Sequence, residues 1–211
     1  MTLQNRVDPY GSLHATPSRG LFTGNRGVIH DPTTKTLLSR RWTTKAWIIC
    51  SLEHPLGSRR EPMGRNGRKN GAGWTELFFL DEVTALAAGH RPCFYCRPQA
   101  ARAFSSCFAT GADWAIARAP AMDNLLHPQR LTADDTRQVY DQSKLAALPD
   151  GAMIETGGRA YALFQGRALP WDFTGYSKAH DLPVQARLLT PQSTIAALIA
   201  GFKPVWHPSA S

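Results

Sequence analysis

Cys93 and Cys96, three positions apart, stand in the run Gly89-His90-Arg91-Pro92-Cys93-Phe94-Tyr95-Cys96-Arg97-Pro98. A Cys-x-x-Cys knuckle can give two ligands to one metal from a single tight turn, or it can close on itself as a redox pair. Zinc takes four tetrahedral ligands, so the partners must come from elsewhere in the chain. Cys50 and His54 have a Cys-x-x-x-His spacing, and the expected set is Cys50, His54, Cys93 and Cys96 around one Zn2+ ion. Cys107 and His90 are the alternates for the fourth position. Cys107 lies beyond Cys96 by about 16 Å of helix, and is expected to be a core thiol. His90 follows a helix end, where packing or a hydrogen bond is its ordinary use.

A zinc-bound thiolate at Cys50 could act as a nucleophile without a separate base; a closed site would only staple the fold. Against a dithiol redox protein, the thioredoxin-type motif belongs beside a βαβ pattern, whereas here a short helix ended by Gly89 comes first. His30-Asp31, His127, His180-Asp181 and His207 raise a second alternative, a metal-dependent hydrolase or nuclease acting on a nucleic acid or nucleotide. None of them has the H-E-x-x-H spacing, and neither a G-x-S-x-G nucleophile nor a phosphate loop is present. His30 follows Gly24-Asn25-Arg26-Gly27, a run able to turn backbone N–H groups toward an anion.

The charge is placed unevenly. Residues 1–75 carry 12 of the 24 Lys/Arg but 4 of the 16 Asp/Glu, so the whole excess of +8 sits in the first third of the chain. Concentrated positive charge attracts polyanions. Residues 57–73 are Gly-rich and basic, and the residues expected to contact nucleic acid, DNA above all, are Arg59, Arg60, Arg65, Arg68 and Lys69 there, with Arg91 and Arg97 at the knuckle. Trp42, Trp47, Trp74, Phe94 and Tyr95 interleave with these charges; aromatics so placed stack bases or fill a core.

Phe78-Phe79 and the run from Ala85 to Pro98 resemble the second half of the zinc module of Ada-type alkylation-repair proteins. In that module a first cysteine pair precedes, and its first Cys accepts a methyl group from a DNA phosphotriester. The resemblance, spanning residues 47–98, implies Cys50 as a methyl-accepting thiolate, with His54 where the module has a second cysteine, and a link to DNA repair. The gap between the halves is longer here, and no helix-turn-helix or Pro-Cys-His-Arg motif follows. The whole chain also resembles a bacterial family sharing GNRG, TELFFLDE and GHRPC, a likeness that implies no activity.

The elements that must position these residues follow from local signals. Residues 42–52, rich in β-branched and aromatic side chains, are expected as the strand that delivers Cys50, and residues 74–80 as another. Asp81 caps a helix over 82–88 that Gly89 stops; Arg97-Pro98 opens a second over 99–109. Residues 197–204 repeat A-L-x-A-G-x-(R/K)-P without thiols, which makes that pattern a helix-stop device. Residues 110–131 give no clear signal, and a helix is expected over 132–148. The Gly-Gly pair and Gly166 mark hairpins in a meander over 152–171, followed by a strand over 184–190 and a helix over 192–200.

The fold class expected is α+β, a zinc-stapled N-terminal half (1–110) and a C-terminal antiparallel β-meander with helices (111–211), as two domains or one unit. At 43% hydrophobic and 19% charged residues the composition is that of a globular protein. Four cysteines make no disulfide scaffold, and no apolar run nears the ~20 residues of a membrane span. The expectation is a cytoplasmic protein with reduced thiols and no membrane partner.

Overall fold

In the computed structural model, residues 2–57 and 73–210 are described, Asp134 without its side chain. The chain is α+β, as expected. The described residues hold five α-helices and twelve strands, and the strands form two six-stranded sheets. The first sheet is built from β1 (Gln4–Val7), β2 (Leu13–Ala15), β3 (Phe22–Asn25), β4 (Ile48–Ser51), β5 (Leu77–Phe79) and β6 (Arg91–Pro92), in the order β2-β1-β5-β3-β4-β6. Its β1–β5 and β4–β6 pairs are parallel. The second combines β7 (Val139–Asp141), β8 (Met153–Thr156), β9 (Arg159–Phe164), β10 (Arg167–Asp172), β11 (Gly175–Tyr176) and β12 (Gln185–Leu188), in the order β11-β10-β9-β8-β12-β7, antiparallel throughout. The meander predicted over 152–171 is β8 to β10.

Between the sheets lies α1 (Glu82–Ala87), whose six residues are all buried. Leu80, Val83 and Ala87 pack against Met153, Ala162 and Leu169 of the second sheet. Asp81 caps α1, accepting from Thr84 N at 2.8 Å, and also accepts from the Tyr176 hydroxyl at 2.8 Å and His207 N at 3.0 Å. One buried carboxylate thus ties the helix start to the second sheet and to the C-terminal tail. The other helices are α2 (Pro98–Gly111), α3 (Ala119–Arg130), α4 (Gln142–Ala146) and α5 (Gln192–Ile199). One apolar cluster runs from Val7 and Ile49 through Phe104 and Leu126 to Ile154, Leu198 and Phe202, so the core is continuous between the two halves of the sequence.

The helix-stop device works as its two copies imply. Gly89 N donates to Leu86 O and His90 N to Ala85 O; in the second copy Gly201 N donates to Leu198 O and Phe202 N to Ala197 O. Both glycines have positive φ, and both following residues, His90 and Phe202, are buried.

Two expectations need correction. Residues 132–148 are not one helix: a 3₁₀ turn (Asp134–Thr136) is followed by β7 and then α4. Asp141 is the side chain that caps, accepting from Lys144 N at 2.9 Å, and residues 139–141 pair with β12. The strand expected over 42–52 is confined to β4, because Thr44 bonds locally to Ala46 N and to the Trp47 indole. The segment without signal holds α3, which starts at Arg118 with no side-chain cap and carries Pro128 inside it.

Candidate metal centre

Register brings the thiols together. Ile48 pairs with Arg91 and Ile49 with Pro92, and Cys93 N donates to Ile49 O at 2.9 Å. In a parallel pair the next residues along, Cys50 and Cys93, stand side by side. The knuckle then turns: Arg97 N donates to Cys93 O at 2.9 Å and Cys96 N to Cys93 Sγ at 3.5 Å, folding the third thiol back over the first two. The result is that Cys50, Cys93 and Cys96 have their sulfur atoms all within 4.8 Å of one another, a group that can hold a metal ion. None of the four cysteines is paired in a disulfide.

The three thiols are unequal. Cys93 Sγ accepts from the Cys50 thiol and from the backbone N–H groups of Cys96 and Tyr95, which together hold it down at about 5 against the cost of burial. Cys50, donating to Cys93 and Cys96 and itself buried, is pushed up. The arrangement favours ionisation at Cys93, and the thiolate is the form in which cysteine binds metals. Exposure differs as well: Cys50 is 3% and Cys93 7% exposed, whereas Cys96 is partly open.

The candidates for the fourth ligand have different surroundings. His54, beyond the end of β4, lies outside the 4.8 Å group. Its ring sits 5.9 Å from that of Tyr95, and its Nδ1 accepts from Leu56 N at 3.2 Å, so Nε2 is the nitrogen left for a metal. Cys107 is on α2 and packs against the main core. His90 is fully buried, with its Nε2 receiving the Arg26 Nε–H at 3.1 Å and its ring against Phe79 and Trp47. Burial and the nearby Arg26 and Arg130 charges press its pKa well below the usual histidine range.

Two of the cations expected at a nucleic-acid surface are spoken for. Arg91 is 5% exposed and meets Asp123 of α3 in a two-pronged pair, 2.8 and 2.7 Å, that no external phosphate can share without breaking it. Arg97 pairs with the buried Glu82 at 2.5 Å and lies over the Phe22 ring. Through these pairs the knuckle's Arg-Pro brackets tie it to α3 and α1. Arg59, Arg60, Arg65, Arg68 and Lys69 lie outside the described residues. Phe94 and Tyr95 are exposed at the knuckle tip, as expected.

His30 is held by structural partners. It is buried, bonded through Nδ1 to Thr75 Oγ1 and through Nε2 to Gln4 O, while Asp31 caps its own turn through Thr33 N and Thr34 N. The Gly24–Gly27 run is a seam of close approach. A Cβ at Gly24 would fall 2.0 Å from Ile48 O, and one at Gly27 1.9 Å from Thr43 Oγ1. Arg26, between them, is buried, with its guanidinium 3.9 Å from the centre of the Trp47 ring; that of Arg130 stands 4.0 Å from the same ring. Two cations thus lie against one indole. Sequence reasoning missed this cluster of two arginines and a tryptophan, whose arginines look in sequence like scattered surface charges. Burial lowers Arg26 to about 9 and Arg130 to about 10.

No helix among the described residues is long and apolar enough to cross a membrane. No protein-family model, curated protein or solved structure matches the chain.

Proposed function

We propose that this chain is a zinc protein that binds nucleic acid, DNA in the first instance, with the metal held by Cys50, Cys93 and Cys96 and completed by His54. The observation that carries the metal reading is the group of three sulfurs within 4.8 Å, assembled from two distant stretches of sequence. Soft thiolate donors in that number suit zinc above the hard cations, which prefer oxygen. Bound there, zinc would supply a cross-link between β4 and the knuckle. The burial of Cys50 favours this stapling role over methyl acceptance, since an incoming phosphotriester needs an open thiolate. Nucleic-acid binding is supported by the concentration of positive charge in residues 1–75. The Ada-type resemblance supplies the link to alkylation repair.

Metal analysis of purified protein tests the first part: one zinc per chain is expected, lost in a Cys93→Ser variant, and a metal-free protein with a reversible disulfide would turn the reading to dithiol redox chemistry. DNA binding that falls steeply with salt, and weakens when Arg59, Arg60, Arg65, Arg68 and Lys69 are made Gln, is expected from the second. Intact-mass measurement after incubation with methylated DNA decides the repair link. A gain of one methyl mapped to Cys50 would establish acceptance there, and an unchanged mass would leave the zinc as a staple.

A further inference from the structure

We propose that residues 39–45 form a docking strip for single-stranded nucleic acid, with Trp42 stacked on an unpaired base and Arg40, Arg41 and Lys45 on the flanking phosphates. The proposal rests on the nucleic-acid reading above and gives it a surface that the structure describes. Residues 39–43 and Lys45 are exposed. Among the described residues no carboxylate lies within ion-pair distance of Arg40, Arg41 or Lys45. Their hydrogen bonds go to neutral groups: Arg40 to Val28 O, Arg41 to Leu38 O and Ser39 O, and Lys45 to the Asn124 side chain. Three charges are thus uncompensated within one short segment. That is an electrostatic footprint for a polyanion.

Trp42 gives the strip its preference. It is 38% exposed, and His127 meets it edge-to-face with 4.5 Å between ring centres, so one part of the ring is held and the rest is open. An open indole face takes a base that is out of its pair, which a duplex does not offer. The backbone beneath is fixed in advance. Thr43 N donates to Arg26 O at 2.9 Å, Thr43 Oγ1 accepts from Val28 N at 3.0 Å, and Arg130 Nη2 donates to Lys45 O at 2.7 Å. The buried cluster around Trp47 therefore anchors the strip from below, and little ordering remains to be done on binding. Cys50 stands five positions after Lys45, so the strip ends within about 18 Å of the thiol group.

The test is fluorescence anisotropy of a labelled oligothymidylate with the zinc-loaded full chain, repeated across a salt series. Trp42→Ala is expected to weaken binding roughly 5- to 150-fold, while Trp42→Phe keeps most of it. Neutralising Arg40, Arg41 and Lys45 to Gln is expected to flatten the slope of log K against log salt by about 2. The charge variants should keep the zinc content and unfolding curve of the parent, because those side chains are exposed, and Trp42→Phe, which keeps a ring beside His127, separates stacking on a base from packing within the fold. Tight binding by the parent with unchanged affinity and slope in both variants would overturn the strip while leaving the nucleic-acid reading in place. Absence of binding by the parent would overturn both. Equal binding of duplex DNA or of polyglutamate, insensitive to Trp42, would overturn the stacking and with it the proposed occupant.

Discussion

Gly89 and Gly201 occupy the same place in two copies of one motif, and they differ in what a methyl group would meet there. Gly89 has φ +78° and Gly201 φ +106°, so alanine at either position pays the left-handed backbone cost of roughly 1–2 kcal/mol. At Gly201 a Cβ has nothing within 4 Å. At Gly89 it would lie 2.5 Å from Arg130 Cβ and 2.7 Å from Arg130 Cδ. Arg130 cannot swing aside: it donates to Gly89 O at 2.9 Å and to Lys45 O at 2.7 Å, and its guanidinium lies on Trp47. Overpacking of this sort costs a further ~1–3 kcal/mol. The expectation is that Gly89→Ala unfolds in urea with about 2–5 kcal/mol less stability than the parent and Gly201→Ala with about 1–2 kcal/mol less, the m-values unchanged. Equal losses, or a larger loss at Gly201, would refute the packing argument.

Four further outcomes follow from the same geometry. Asp123→Asn should cost about 3–5 kcal/mol, because it strands the buried Arg91, whereas Glu155→Gln, which breaks the more exposed pair with Arg187, should cost under ~1 kcal/mol; urea unfolding of the two variants compares them. Chelation of the metal should lower the thermal midpoint of the parent and leave that of a Cys50→Ser/Cys93→Ser variant unmoved, as read by calorimetry. His90 stays neutral in the folded protein while the unfolded chain takes its proton near pH 6.5, so stability present above that pH is lost as the pH falls, by about 1.4 kcal/mol per unit; His90→Gln should flatten the acid limb of a stability profile. Tyr176→Phe removes one of the donors to the buried Asp81 and should cost about 1–3 kcal/mol in denaturant unfolding, without altering zinc content.

The parts of the fold that could be read from sequence are those written in local chemistry. Asp81, Gly89, Pro98 and Gly201 fix helix ends through caps and positive φ, and Gly157, Gly158 and Gly166 fix the hairpins of the meander. Where the deciding partner is distant, reading fails. β7 exists because residues 139–141 find β12, and no pattern within 132–148 announces it. The helix over Ala119–Arg130 is hidden by its own prolines. At the site, Cys93 and Cys96 declare themselves by spacing, and Cys50 by its place at a strand end. Arg26, Arg91 and Arg130 were illegible for the opposite reason: a lone arginine reads as surface, and only the tertiary structure supplies Trp47 and Asp123 as its partners.

The parallel β4–β6 pair is only two residues long on its β6 side, yet it joins stretches far apart in the chain. A metal bridging Cys50 and Cys93 closes a ring of about 40 residues, and a cross-link over a ring that size removes roughly 4 kcal/mol of chain entropy from the unfolded state. The ring's own length hardly matters to that sum, since doubling it would add only about 0.6 kcal/mol. The cross-link would therefore contribute nearly the same whatever length of chain it spans, and that contribution falls on the short β4–β6 pairing that sets Cys50 beside Cys93.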